Sequence, residues 1–332
     1  MNPNLRVLEC GPGLTVQDAG RFGLRRFGVA WAGAADHGAL ALANALVSNE
    51  SGAAALEMPM SGAVFRVEGG CIRIASIGAG LLIDRQKVIP ARSIDVAPGT
   101  CVTLQPTSDG VFAYLAVSGG IGTVREMGSR ATHLRSGLGG RALVAGDLLP
   151  CGLAPEQPVL RLGAEIQWPS GPIRLVRGPQ EGRFASGAFA RLPESVWRVH
   201  HQSDRMGMRL DGPLIPHKEG ADIVSDAVLP GSVQVSGNGR PVILMRDCQT
   251  TGGYPKIACV IAADLDRLAQ TPAGATVSFC EVSPEEGLRV TRAWRQLLRD
   301  IPLGLVPAGL QAQLLYDTNL IDGVHAPGRD EF

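Results

Sequence analysis

Lysine is nearly missing from this chain: Lys87, Lys218 and Lys256 are three of its 31 basic residues, and arginine supplies the others. Acidic residues also number 31, and no long run of one sign occurs. That excludes the electrostatic footprint of a nucleic-acid or anionic-membrane binder and points to small molecules or proteins as partners. No apolar run approaches the ~20 residues that cross a bilayer. The opening MNPNLRVLECG lacks the basic flank and apolar stretch of a secretory signal, so a cytoplasmic location is expected. The seven cysteines are scattered and never form a CxxC pair, which argues against a disulfide framework or zinc cluster and for small buried apolar side chains. His200 and His201 are adjacent and no HxxxH spacing occurs, so no protein-ligated metal is expected.

Several catalytic signatures are also missing. The chain has no GxSxG elbow, no GGSSGG run of the amidase kind and no MKM-like biotin attachment site; a hydrolytic serine or a biotin is therefore expected on another chain.

Glycine and proline, at 43 and 23, are plentiful, and they separate short apolar stretches such as CIRIASIG, CVTLQ, VFAYLAV, SVQVSG and PVILM. This pattern predicts a mainly β fold. Helical periodicity is confined to Asp36 to Val47, Ala263 to Gln270 and Ser283 to Arg299. In the last, Ser283, Pro284 and Glu286 form a capping box, and Leu288, Trp294, Leu297 and Leu298 make an apolar stripe that predicts packing on a sheet face. At 332 residues the chain exceeds the usual size of a single core. The proline-rich stretch 149–172 is the linker candidate, so the predicted units are 1–160 and 161–332, the second carrying the C-terminal helix. QDAGRFGLR (17–25) and QSDRMGMR (202–209) are weakly alike, and each is followed by an acid (Glu57, Asp226), a glycine (Gly62, Gly231) and a strand. Two related β lobes are the reading.

The stretch CQTTGGYPKIACV (248–260) is not a P-loop, because Tyr254 and Pro255 separate the glycine pair from Lys256 and a strand follows. Two readings remain open. Gly252 and Gly253 could present backbone N–H groups to an oxyanion or phosphate, with Thr250, Thr251, Lys256 and the adjacent Tyr254 around them. Alternatively the glycines form a hairpin turn beside a solvated lysine. Asp18 and Arg21, and Asp204, Arg205 and Arg209, set acids beside arginines that could hold a substrate carboxylate bidentately or could fix their own loops. Asp36 is expected to cap a helix and could face a ligand. GSRATHLRSGLGGRAL (128–143) offers Ser129, Arg130, Thr132 and Arg135 in a glycine-rich loop.

Taken together, GLTVQDAGRFG, GVAWAGAADHGALALANALVSN, ALEMPMSG, YLAVSGGI, GSRATHLRSGLGGR, SDRMGMRLDG and QTTGGYPKIACVIAADLDRLAQ resemble the family of biotin-dependent carboxyltransferases and 5-oxoprolinase C-type subunits. That family is also called allophanate hydrolase subunit 2 and includes KipA. The resemblance runs from about Gly11 to NLIDGV near Asn319. It implies two cyclophilin-like β-barrel lobes with a few short helices, a KipI-like B-type partner and an A-type, LamB/YcsF-like partner. It also implies ATP-dependent opening of the lactam 5-oxoproline to glutamate, with ATP and Mg2+ held by the complex. One alternative it implies is transfer of a carboxyl group from carboxybiotin, on another chain, to a urea-like nitrogen; a second is a non-catalytic KipA-like regulator of a KipI-type partner. The chain departs from the family at AGAAD (32–36), where many relatives read SGAMD, and at the tail HAPGRDEF.

Overall fold

The computed structural model describes residues 3–107 and 110–309. NLIDGV and the tail HAPGRDEF lie outside them. The mainly β expectation is met. Residues 4–150 supply two sheets. One is six-stranded, in the order Leu148–Pro150, Asn4–Cys10, Ala63–Glu68, Cys101–Leu104, Leu81–Ile83 and Gln86–Lys87. The other is five-stranded, in the order Thr15–Gln17, Ala55–Pro59, Phe112–Val117, Ile72–Ile77 and Ser93–Val96. Ala63–Glu68 alternates buried and more exposed positions, the period of a strand with one face inward. Leu5, Val7, Phe65, Val67, Val102 and Leu115 meet in the core between these sheets.

Phe112–Val117 breaks that alternation because both of its faces are covered. Ala113, Leu115 and Val117 point into the sheet core, while Tyr114 and Ala116 lie under the helix His37–Leu46. Every residue of that helix after His37 is buried, which matches its alanine and leucine content on all sides.

An eight-stranded sheet follows, in the order Thr276–Val277, Trp197–Val199, Gly207–Asp211, Pro241–Leu244, Ser232–Val235, Lys256–Val260, Ile173–Arg177 and Phe279–Glu281. Its two edge strands are separated in sequence by Ser278 alone, whose carbonyl accepts from Ile173 N at 2.8 Å. Consecutive chain at opposite edges requires the sheet to curl until it is a nearly closed barrel. Trp197, Leu175, Leu192, Ile215, Ile243 and Ile257 fill its interior.

The helix Pro284–Asp300 begins as expected, with Ser283 Oγ accepting from Glu286 N at 3.2 Å. Of its expected apolar stripe, Trp294, Leu297 and Leu298 are partly buried, and Leu288 is the correction. Leu288 is exposed, and the close contact is Gly287, where a β carbon would lie 3.1 Å from Ile261; Leu298 packs further along, against the buried helix. None of the seven cysteines is paired. Burial pushes the Cys151 thiol up to about 12 and that of Cys248 to about 11, so both are unreactive thiols. No helix of the described residues is long and apolar enough to cross a membrane.

Trp197 is fully buried and its Nε1 donates to Leu192 O at 3.1 Å. Trp197→Ala is expected to lower unfolding stability by about 3–5 kcal/mol, read as a drop in the urea midpoint.

Candidate functional site

The motifs containing Arg205, Glu57 and Asp247 meet at one buried guanidinium. Arg205 Nε and Nη2 donate to the two Asp247 carboxylate oxygens at 2.9 and 2.8 Å, Nη1 donates to Glu57 Oε1, and Nη2 also donates to Gly33 O at 2.6 Å. Burial alone would lower the Arg205 pKa, but the charges of Glu57 and Asp247 outweigh it and raise it. Glu57 Oε2 takes two further donors, Ala35 N at 2.8 Å and Tyr114 OH at 2.7 Å, and Tyr114 OH accepts from Asp36 N at 2.9 Å. Burial, then Glu57 and Asp36, hold Tyr114 well above its ordinary value. The AGAAD segment is thereby held through its main chain: Ala34 N also donates to Asp18 O at 2.9 Å.

The expectation that Arg21 or Arg205 would receive a substrate carboxylate is corrected. Arg205 is committed to two of the protein's own carboxylates. Arg21 is buried and donates to Glu126 O and Ala131 O, and burial lowers its pKa. Nor do the acids pair with the neighbouring arginines of their own motifs. Asp18 accepts from Gly20 N, Ser129 Oγ and Arg130 N at 2.6–2.8 Å, and Asp204 accepts from Met206 N and Gly207 N. Both fix turns. Arg209 is exposed on the strand Gly207–Asp211, and Tyr254 is 43% exposed.

The glycine pair fits neither of its readings. Thr251–Gly252 is a strand opposite Asp226–Ala227, Gly253 O accepts from Ile223 N at 2.9 Å, and a β carbon on Gly252 would lie 2.6 Å from Gln234 Nε2. Lys256 is 3% exposed; its ammonium donates to Asp226 Oδ2 at 2.7 Å and Ala227 O at 2.9 Å, and holds the Asp226 carboxyl below its usual range. The lysine is neither solvated nor free for an anion, and neither it nor the two glycines lines a described cavity.

Among the described residues, a cleft of about 860 Å3 opens between the segments 28–30, 126–138, 206 and 247–250. Arg25 braces one wall by donating to Val228 O and Gln249 O, both at 2.6 Å. Glu126, His133, Arg135, Ser136, Gln249 and Thr250 give this cleft its polar groups. Thr250 and Arg135 are the expected residues that line it; Thr251 is exposed outside it. Sequence reading passes over His133, Ser136, Asp247 and Glu57. Glu57 and Asp247 carry a usable signal, since each is a single acid within or just after a strongly apolar stretch (ALEMP, PVILM), and a carboxylate buried there requires a cationic partner.

Asp36 plays its expected part as a cap, accepting from Ala39 N at 2.9 Å and from Gln270 Nε2 at 2.9 Å. It also faces a second cavity of about 350 Å3 bordered by Phe112, Trp168, Trp294, Asp266 and Gln270. Burial, and then the neighbouring Asp266 charge, raise Asp36 to about 6. Asp266 stays below its usual value: burial opposes ionisation, but His37 and Arg246 outweigh it.

The chain matches the family described as carboxyltransferase domain, subdomain A and B, over residues 27–281. It is 38% identical over 290 residues to the C-type subunit of the 5-oxoprolinase of Escherichia coli (strain K12), covering 86% of this chain and 93% of that one. The corresponding 5-oxoprolinase protein of Haemophilus influenzae is 36% identical over 297 residues, covering 86% and 94%. The solved urea amidolyase of K. lactis superposes with a TM-score of 0.84 at 25% identity; 91% of this chain is covered, and it spans 20% of that much longer chain.

Two measurements test this geometry. Arg205→Met leaves Glu57 and Asp247 buried without their cation and is expected to cost about 3–5 kcal/mol in urea unfolding. Asp36 has a folded pKa above its unfolded value of 3.8, so its contribution to stability is complete below about pH 4 and is lost as pH rises through about 6. Asp36→Asn is expected to remove that falling limb, alongside a constant offset from the altered Gln270 contact; an unchanged slope between pH 4 and 6 would contradict the assignment.

Proposed function

The chain belongs to the carboxyltransferase domain family, subdomains A and B, and from that membership we propose that it is the C-type subunit of a complex that hydrolyses 5-oxoproline to glutamate with ATP. The supporting observation is the cleft of about 860 Å3, walled by segments distant in sequence and lined by neutral, acidic and basic hydrogen-bonding groups. A small, polar, ring-shaped amide suits such a lining. Its carboxylate is assigned to Arg135, which is exposed on the cleft and makes no hydrogen bond or ion pair with the rest of the described chain.

ATP and its Mg2+ belong to the partner subunits in this reading. The turn expected to cradle phosphate does not fit it, because Gly252 lies in a ladder and Lys256 is neutralised by Asp226. No step through ATP is assigned to residues of this chain. The partners are a KipI-like B-type subunit and a LamB/YcsF-like A-type subunit, and the site works only in their company.

The urea amidolyase likeness favours carboxyl transfer as the second reading, in which a biotinylated chain delivers the carboxyl group to this same cleft. Reconstitution separates the two. The chain alone is expected to be inactive, and the three-subunit complex to convert 5-oxoproline to glutamate with ATP and to be indifferent to avidin. Arg135→Ala should raise KM for 5-oxoproline at least about tenfold. Loss of turnover on adding avidin would transfer the assignment to carboxyl transfer.

A further inference from the structure

Residues 133–140 form a tight knuckle on the wall of the cleft. His133 N donates to Leu138 O at 2.8 Å, Ser136 N and Gly137 N both donate to His133 O at 3.2 and 3.0 Å, and Gly139 N is held by the Glu126 carboxylate at 2.7 Å. Gly139 has φ +77°, and a β carbon there would collide with Ala131 O, so the knuckle closes only around glycine. Its effect is to hold Ser136, which is exposed, above the buried ring of His133, with Oγ 2.7 Å from Nδ1.

The other ring nitrogen fixes the direction of that hydrogen bond. His133 Nε2 lies 3.1 Å from Asp247 O, and a carbonyl can only accept. In the neutral ring Nε2 therefore carries the hydrogen, Nδ1 is the acceptor, and the Ser136 hydroxyl donates to it. The carbonyl is itself held: Asp247 N donates to Arg205 O at 2.8 Å and the Asp247 carboxylate is gripped bidentately by Arg205. A continuous line runs from buried Glu57 through Arg205 and Asp247 to His133, and ends at a hydroxyl in the cleft.

We propose that Ser136 and His133 are a proton-transfer pair acting on the amide bound in this cleft, with the identity of that amide resting on the lactam reading above. A water between Ser136 Oγ and the lactam carbonyl carbon forms the new O–C bond. Its proton passes to Oγ as the Ser136 proton passes to His133 Nδ1. The resulting imidazolium keeps Nε2–H on Asp247 O, which supports the added charge. When the ring C–N bond breaks, the departing nitrogen receives a proton back along the same route. Lactam and water become the open amino acid, with the ATP consumed on the partner subunits as in the reading above, and Ser136 and His133 regain their starting states.

Two experiments, one independent of the substrate, test the pair. The isolated chain is treated with diisopropyl fluorophosphate and the modified residue is located by mass spectrometry. Ser136 is expected to be labelled with loss of fluoride, at least about tenfold more slowly in His133→Gln. In the reconstituted complex, Ser136→Ala and His133→Gln are expected to lower kcat about 100-fold with KM changed less than about twofold, and Ser136→Thr to recover most of the loss. Labelling that is indifferent to His133, together with full turnover in both variants, overturns the pair and leaves the oxoprolinase reading standing. A wild-type complex that ignores 5-oxoproline, while Ser136 labelling still requires His133, overturns that reading and leaves the pair standing.

Discussion

One guanidinium, removed from water and facing two carboxylates far apart in sequence, governs how the rest of this molecule is arranged. Arg205 holds Glu57 from the strand Ala55–Pro59 and Asp247 from the turn after Pro241–Leu244. A lone buried carboxylate costs several kcal/mol, and so does a lone buried arginine; together, with Tyr114 and the Ala35 amide completing the acceptors of Glu57, they are satisfied in one geometry. That geometry sets the AGAAD segment and the start of the buried helix on one side, and the floor of the cleft on the other. Removing one partner is costly, although a well-packed apolar set could fill the same space without loss of stability.

The architecture is legible in the sequence because it follows from local chemistry. Glycine and proline punctuate short apolar stretches, and strands form there; Ser283 and Asp36 read as caps, and each accepts the expected backbone N–H. The site is less legible, because its members meet only through pairing of distant strands. Gly252, Gly253 and Lys256 form a compact string that looks like an anion cradle, yet the partner that decides the matter is Asp226, on another strand. His133 and Ser136 are three residues apart, but nothing in the spacing shows that Asp247 O, more than a hundred residues away, fixes which nitrogen accepts. Motif searches for a hydrolytic serine look for a strand-to-helix elbow, and a knuckle built on Gly139 has no such pattern.

The weak internal likeness has a physical outcome of its own. The acids of the two similar strings do the same work, since Asp18 and Asp204 each accept from amides two or three residues onward. The arginines differ: Arg21 turns to backbone carbonyls of a nearby loop, whereas Arg205 turns to carboxylates across the molecule. Such a turn needs only one side-chain oxygen and free amides. The destination of a long cationic side chain depends on everything around it.

The nearly closed eight-stranded sheet has a consequence for how the chain is made. Its edge strands Thr276–Val277 and Phe279–Glu281 are neighbours in sequence and come late, while their partners Trp197–Val199 and Ile173–Arg177 come much earlier. During synthesis each earlier strand can pair on one side, with Gly207–Asp211 and Lys256–Val260 respectively, but its other edge keeps open backbone groups until the ribosome has released the closing segment. Newborn chains stalled before residue 276 should be the ones that chaperones retain, and truncation there should be far more damaging than its small length suggests.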